Sequence, residues 1–127
     1  MADGLSATVA NAALNNIVGT NWNFEQLHTG APGAAGTANV SSVTTREAIT
    51  WGSASNTSNT STVLATDEPE WASWAGTNGE VVTDTSGWSA ATSGTFGGSI
   101  PLSAPVTMDT GDSLTLTSVS ISLPSAS

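Results

Sequence analysis

With 127 residues, no Lys, one Arg, one His and no Cys against ten carboxylates, the chain carries a formal net charge of −9. Its length fits a single domain, residues 1–127, able to bury a core without disulfides or a structural metal. The charge excludes nucleic acid and anionic membranes as partners, since phosphates are held by Lys and Arg. A hydrophobic content of 38% with five Trp excludes a disordered chain.

The first expected element is a helix over residues 5–18. Leu5, Val9, Ala13 and Ile17 recur every four residues, with Leu14 beside them. Ser6 is placed to cap its N-terminus and Gly19 its C-terminus. The opening MADGLSATVANAAL lacks the basic region of a signal peptide. No run reaches the roughly 18 apolar residues that span a bilayer. The helix carries no charge, so it is expected to meet protein on more than one side. Leu5, Val9 and Ala13 are therefore candidate interface residues.

From Asn21 the period changes to two. Trp22, Phe24, Gln26 and His28 alternate with Asn23, Glu25 and Leu27, which predicts a strand over 21–28. Residues 28–40, with Pro32 and three Gly, read as a loop. Residues 44–52 return to strand, with Glu47, Ile49 and Trp51 on one face. Residues 53–60 (SASNTSNT) read as a loop, and 61–66 as a short strand around Val63 and Leu64. Residues 67–76 (DEPEWASWAG) are acidic, then aromatic, and suggest an exposed connection or irregular turn. Strands follow at 79–88 and 94–103. A last one, the most clearly patterned, carries Leu114, Leu116, Val119 and Ile121 and is entered through a turn at 108–112. Short strands between polar turns specify a mainly β fold. It is an antiparallel β-sandwich or small barrel with one N-terminal helix, its β region spanning 21–122. Trp22, Trp51 and Phe96 are expected in or near the core.

Chemistry is sparse. His28 stands alone, and no G-x-S-x-G elbow surrounds a Ser. Asp67, Glu68 and Glu70 beside Trp71 and Trp74 have the residue types of a glycosidase or sugar site. A chain of this length leaves little room for a glycosidase cleft, so the favoured reading is a solvated acidic loop whose Trp residues pack down. Asp109 and Asp112 in a Gly turn fall short of a Ca²⁺ loop. No catalytic group, metal or cofactor is expected. Arg46, the sole guanidinium, is expected to pair with a carboxylate within the chain or across a subunit boundary. Arg46, Trp71 and Trp74 join the interface candidates.

Three stretches in order, LHTGAPGAAGTANV (27–40), REAITWG (46–52) and GWSAATSGTFGGSIPLSAPVTMDTGDSLTL (87–116), resemble the small virion proteins of tailed phages that infect actinobacteria. The shared features are an LHT-x-x-Pro-Gly loop, an Arg-containing strand, a W-x-A-A-x-x-Gly turn and a closing Gly-Asp-x-Leu strand. Residues 67–78 depart from that pattern. Members of this family are labelled head decoration, minor tail or tail-fibre proteins, so the resemblance implies a virion component. Fibres commonly carry heptads or long β-repeats, and this sequence has neither. A compact, acidic, Lys-free domain suits a cap on a preformed shell. The expectation is a decoration protein on the outer surface of the virion, bound to the major capsid protein as a homo-oligomer, with a trimer foremost. A tail-fibre-like component bound to tail proteins is the alternative. A carbohydrate-binding module using Trp71, Trp74 and Trp88 is more distant, and a small hydrolase using His28 or the acidic loop more distant still.

Overall fold

The structure, a computed structural model, describes residues 3–126. The chain runs α1 (Ala7–Asn21), β1 (Phe24–His28), β2 (Glu47–Ala48), β3 (Ser55–Thr57), β4 (Thr60–Leu64), β5 (Glu70–Trp71), β6 (Glu80–Trp88), β7 (Phe96–Met108), β8 (Leu114–Thr115) and β9 (Ser120–Pro124). The strands form a four-stranded sheet in the order β2-β1-β6-β7, a three-stranded sheet β3-β4-β9 and a β5-β8 ladder. All of these pairings are antiparallel. The fold is mainly β and sandwich-like with one N-terminal helix, as the strand spacing predicts.

The Ser6 side chain caps α1 by accepting from Val9 N. Gly19 does not end the helix, which continues to Asn21 with Trp22 as its C-cap. The stripe facing the core is Ala10, Leu14 and Val18, one residue along from the predicted one. Leu5 and Val9 remain 42% and 51% exposed. Both stripes have a four-residue period, so periodicity alone does not choose between them.

Two apolar clusters hold the layers together. One gathers Leu27, Trp71, Trp74, Val82, Met108, Leu114 and Leu116 between the large sheet and the β5-β8 ladder. The other gathers Leu14, Val18, Trp22, Ile49 and Val63 between α1 and the three-stranded sheet. Val119 packs against both.

Several predicted strands are cut differently. The 44–52 strand shrinks to β2, because residues 49–52 leave it to join the two halves of the molecule. Ile49 N donates to Asn23 O, Gly52 N donates to Leu64 O, and Trp51 bridges to Ala65. The predicted loop 53–60 contains β3 and a tight turn at Ser58 and Asn59, with φ of 51° and 61°. Two successive residues at positive φ are what a two-residue hairpin of matching twist requires. The last predicted strand is two strands in two sheets. The chain leaves β8, turns at Ser118 with φ 55°, and enters β9. Of the residues expected in the core, Trp22 is buried, while Trp51 and Phe96 are half-buried at its margin.

Candidate functional site

The three stretches that carried the resemblance meet on the outer face of the large sheet. His28 ends β1, and Ser86 and Trp88 lie on the neighbouring β6. His28 Nδ1 lies 2.8 Å from Ala38 O, and its Nε2 lies 2.7 Å from Ser86 Oγ. A carbonyl only accepts, so Nδ1 carries the proton. Nε2 of the neutral ring then accepts from the Ser86 hydroxyl, whose oxygen accepts from Trp88 Nε1 at 2.8 Å. Burial holds the imidazole below its usual pKa, partly offset by the Ala38 carbonyl and Asp84, which matches a ring built to stay neutral. His28 and Ser86 are both fully buried, so this Ser–His pair offers no substrate a path to the hydroxyl. Its work is to tie residues 29–40 over the sheet, together with Thr29 N to Asn39 O and Ser41 N to Leu27 O.

Arg46 secures the opposite side of the same face. Its guanidinium lies 4.1 Å over the Trp88 ring. Nη1 donates to Ala90 O at 2.8 Å and Ser93 O at 2.7 Å, and Nε donates to Gln26 Oε1. The expected carboxylate partner is replaced by carbonyls, because the turn after β6 points two of them at one fork. Arg46 thus holds the W-x-A-A-x-x-Gly turn, and what it offers a partner is limited by those bonds.

On the inner face, Glu25 lies wholly buried against Trp22. Trp22 Nε1 donates to its Oε1 at 2.5 Å, while Oε2 has no partner among the described residues. Burial pushes this carboxyl up to about 7, against the lowering effect of the Trp22 and Thr85 hydrogen bonds. No motif marked Glu25. Its only signal was a carboxylate on the Leu27 side of an alternating strand.

Trp71 and Trp74, expected among the interface residues, are core side chains, 3% and 2% exposed, and little of either ring reaches the surface of the fold. Trp71 Nε1 donates to Thr45 O and Trp74 Nε1 to Thr77 O. Trp88 is buried too, so these three indoles present no platform to a sugar. The acidic cluster also divides. Asp67 accepts from Thr50 N and Glu70 from Thr115 Oγ1. Among the described residues no group of three acids, His or Cys is placed to hold a metal ion. Asp109 and Asp112 bond to each other's backbone within their turn. Leu5, just ahead of α1, and Val9 on its first turn are exposed, while Ala13 is half-buried.

Charge is unevenly spread. Asp3 is exposed two residues before Leu5 and Asp67 accepts from Thr50 N near the end of α1, whereas Glu68, Glu70, Glu80, Asp109 and Asp112 are five of the ten carboxylates. They gather around β5, β8 and the 109–112 turn, which Trp74 N to Asp112 O and Gly79 N to Met108 O tie together. No charged residue lies on α1, β3, β4 or β9.

These features define a class: a small β domain whose buried polar groups brace its loops over the sheet. The chain belongs to the family described as Podophage GP4 fiber I protein gp80, whose model matches residues 3–124. It is a phage virion structural protein. No curated protein matches it.

Proposed function

We propose that the protein is a non-enzymatic component of the phage fibre, built by contact between copies of itself and with tail proteins. The match to a fibre family over residues 3–124 carries this reading. It replaces the expectation of head decoration on the major capsid protein. The missing heptads and repeats argue only against a long shaft; a compact domain serves as a joint, collar or tip. Burial of the Ser–His pair and of Trp71, Trp74 and Trp88 supports work by surface rather than by catalysis or by sugar stacking on those rings.

The self-contact is assigned to the N-terminal half of α1. Arg46 is bonded within the chain through Nε and Nη1, and α1 carries no charged residue. Copies meet with the least like-charge repulsion through neutral faces, and interface cores are depleted in charge. Val9 is half exposed at the third helical position, where Glu would complete a capping box with Ser6. An apolar residue there weakens the cap and favours contact with protein. The expected assembly is a homo-oligomer, with a trimer foremost.

Gold-labelled antibody against the protein, applied to intact particles, tests the location. Label on fibres supports the reading; label spread over the head lattice returns it to decoration. Sedimentation of the purified protein tests the assembly, and a monomer at every concentration contradicts it.

A further inference from the structure

Gly19 has no structural explanation within the fold. It sits inside α1, does not cap it, and a Cβ placed there would meet nothing within 4 Å. A helical Gly in place of Ala costs roughly 1 kcal/mol. Gly19 lines a cleft of about 380 Å³ between the end of α1 and residues 49–52. That volume falls within the roughly 300–1,000 Å³ of small-ligand sites.

The cleft has a definite chemistry. Its walls include Trp51, the one Trp that is not buried, against Asn15, Asn23 and Thr50. The Trp51 ring is fixed, since Nε1 donates to Trp22 O at 2.7 Å and the ring meets Trp22 edge to face at 6.3 Å. Asn15 Oδ1 accepts from Ala54 N at 2.8 Å, which leaves its NH2 as a donor for a ligand. Asn23 Nδ2 donates to Ser89 O, which leaves Oδ1 as an acceptor. Val18 and Gly19 also line the cleft, and they belong to the last turn of α1, where helix carbonyls lack partners along the helix. That turn contains no basic residue, so it presents partial negative charge with no cation to offset it. Asp67, bonded to Thr50 N, adds a carboxylate nearby. Anions are therefore repelled. A neutral molecule with several hydroxyl donors and an apolar ring face meets the acceptors, the single amide donor and the indole together.

We propose that the Gly19–Trp51 cleft is a binding site for one neutral saccharide unit. The site is independent of the fibre reading and of the α1 self-contact, because it is complete within one copy.

Nuclear magnetic resonance titration of the intact protein tests it, with neutral methyl hexosides, N-acetylglucosamine and, as the charged comparator, a hexuronate. The expected result is a saturable shift of the Trp51 indole N–H and the Asn15 side-chain amide with a neutral sugar, and affinity weaker by about tenfold or more for the hexuronate. Gly19→Met places a side chain in the open space and improves helix propensity, so it is expected to fold at least as well while weakening binding by about tenfold or more. Asn15→Ala is expected to weaken binding as well. The proposal is overturned by the absence of shifts at these groups with every neutral sugar at the highest soluble concentration. Equal binding of the hexuronate, or unchanged binding by folded Gly19→Met, overturns it too.

Discussion

Arg46 illustrates how far residue type predicts a partner. A lone guanidinium among ten carboxylates was expected to form an ion pair, yet it donates to the carbonyls of Ala90 and Ser93 and lies over Trp88. Long-range electrostatics favours carboxylates, but the convergence of two carbonyls in a turn 44 to 47 residues away is a property of the fold. Lys keeps the charge and loses the fork, so Arg46→Lys is expected to destabilise the domain by about 1–3 kcal/mol. Urea denaturation measures this, and an unchanged midpoint contradicts it. Glu25 makes a pH-dependent contribution. Its carboxyl titrates at about 7 in the folded chain against 4.5 for its ordinary value. The folded state therefore binds the proton more tightly than the unfolded state. The associated stability is full below about pH 4.5, declines as pH rises towards 7, and amounts to about 3 kcal/mol. His28 works in the opposite sense, since its lowered pKa costs stability as pH falls below about 6.5. The two are separated by comparing wild type with Glu25→Gln. Between about pH 5 and pH 8 the variant is expected to gain on wild type as pH rises. A constant difference across that range contradicts the buried-acid account.

At the scale of elements, α1 carries the sharpest prediction because folding and assembly pull in opposite directions there. Val9→Glu completes the capping box with Ser6 and is expected to leave the monomer as stable or more so, by up to about 0.5 kcal/mol. The same change places a carboxylate in the proposed self-contact and is expected to dissociate the oligomer. Sedimentation and thermal unfolding together decide this, and an oligomer that survives Val9→Glu moves the contact elsewhere. Much of the element order was legible in the sequence: the helix with its Ser6 cap, and strands close to β1, β4 and β6. The losses have local causes. Leu5, Val9, Ala13 and Ile17 share their period with Ala10, Leu14 and Val18, so the core stripe was placed one residue off. The hairpin at Ser58 and Asn59 lacks the Gly that usually marks two positive φ angles, so β3 read as loop. The alternation Leu114, Leu116, Val119, Ile121 slips a residue at Ser118, and that slip is where the chain changes sheets. Trp71 and Trp74 sit in an acidic stretch that reads as a solvated loop with its Trp residues packed down, and the ladder to β8 is what places them in the core. The Trp51 cleft had no linear signal, because Gly19 and Asn15 meet Trp51 only through the packing of α1.

For the whole molecule, the organising fact is where charge is not. Five of the ten carboxylates collect around β5, β8 and the 109–112 turn, while α1 and the three-stranded sheet carry none. Such a domain keeps one region solvated and offers a neutral region to its neighbours. Because the proposed contact is neutral, its strength is expected to change little with salt, in contrast to an assembly held by ion pairs. An oligomer that dissociates when salt is raised contradicts this. Single-particle imaging of the intact virion, at a resolution that allows this domain to be fitted, tests the central claim most directly. The account predicts density for the domain within the fibres, with Leu5 and the Val9 face at the start of α1 against a neighbouring copy and the acidic region towards solvent. Density for the domain on the head lattice, with none in the fibres, would contradict it.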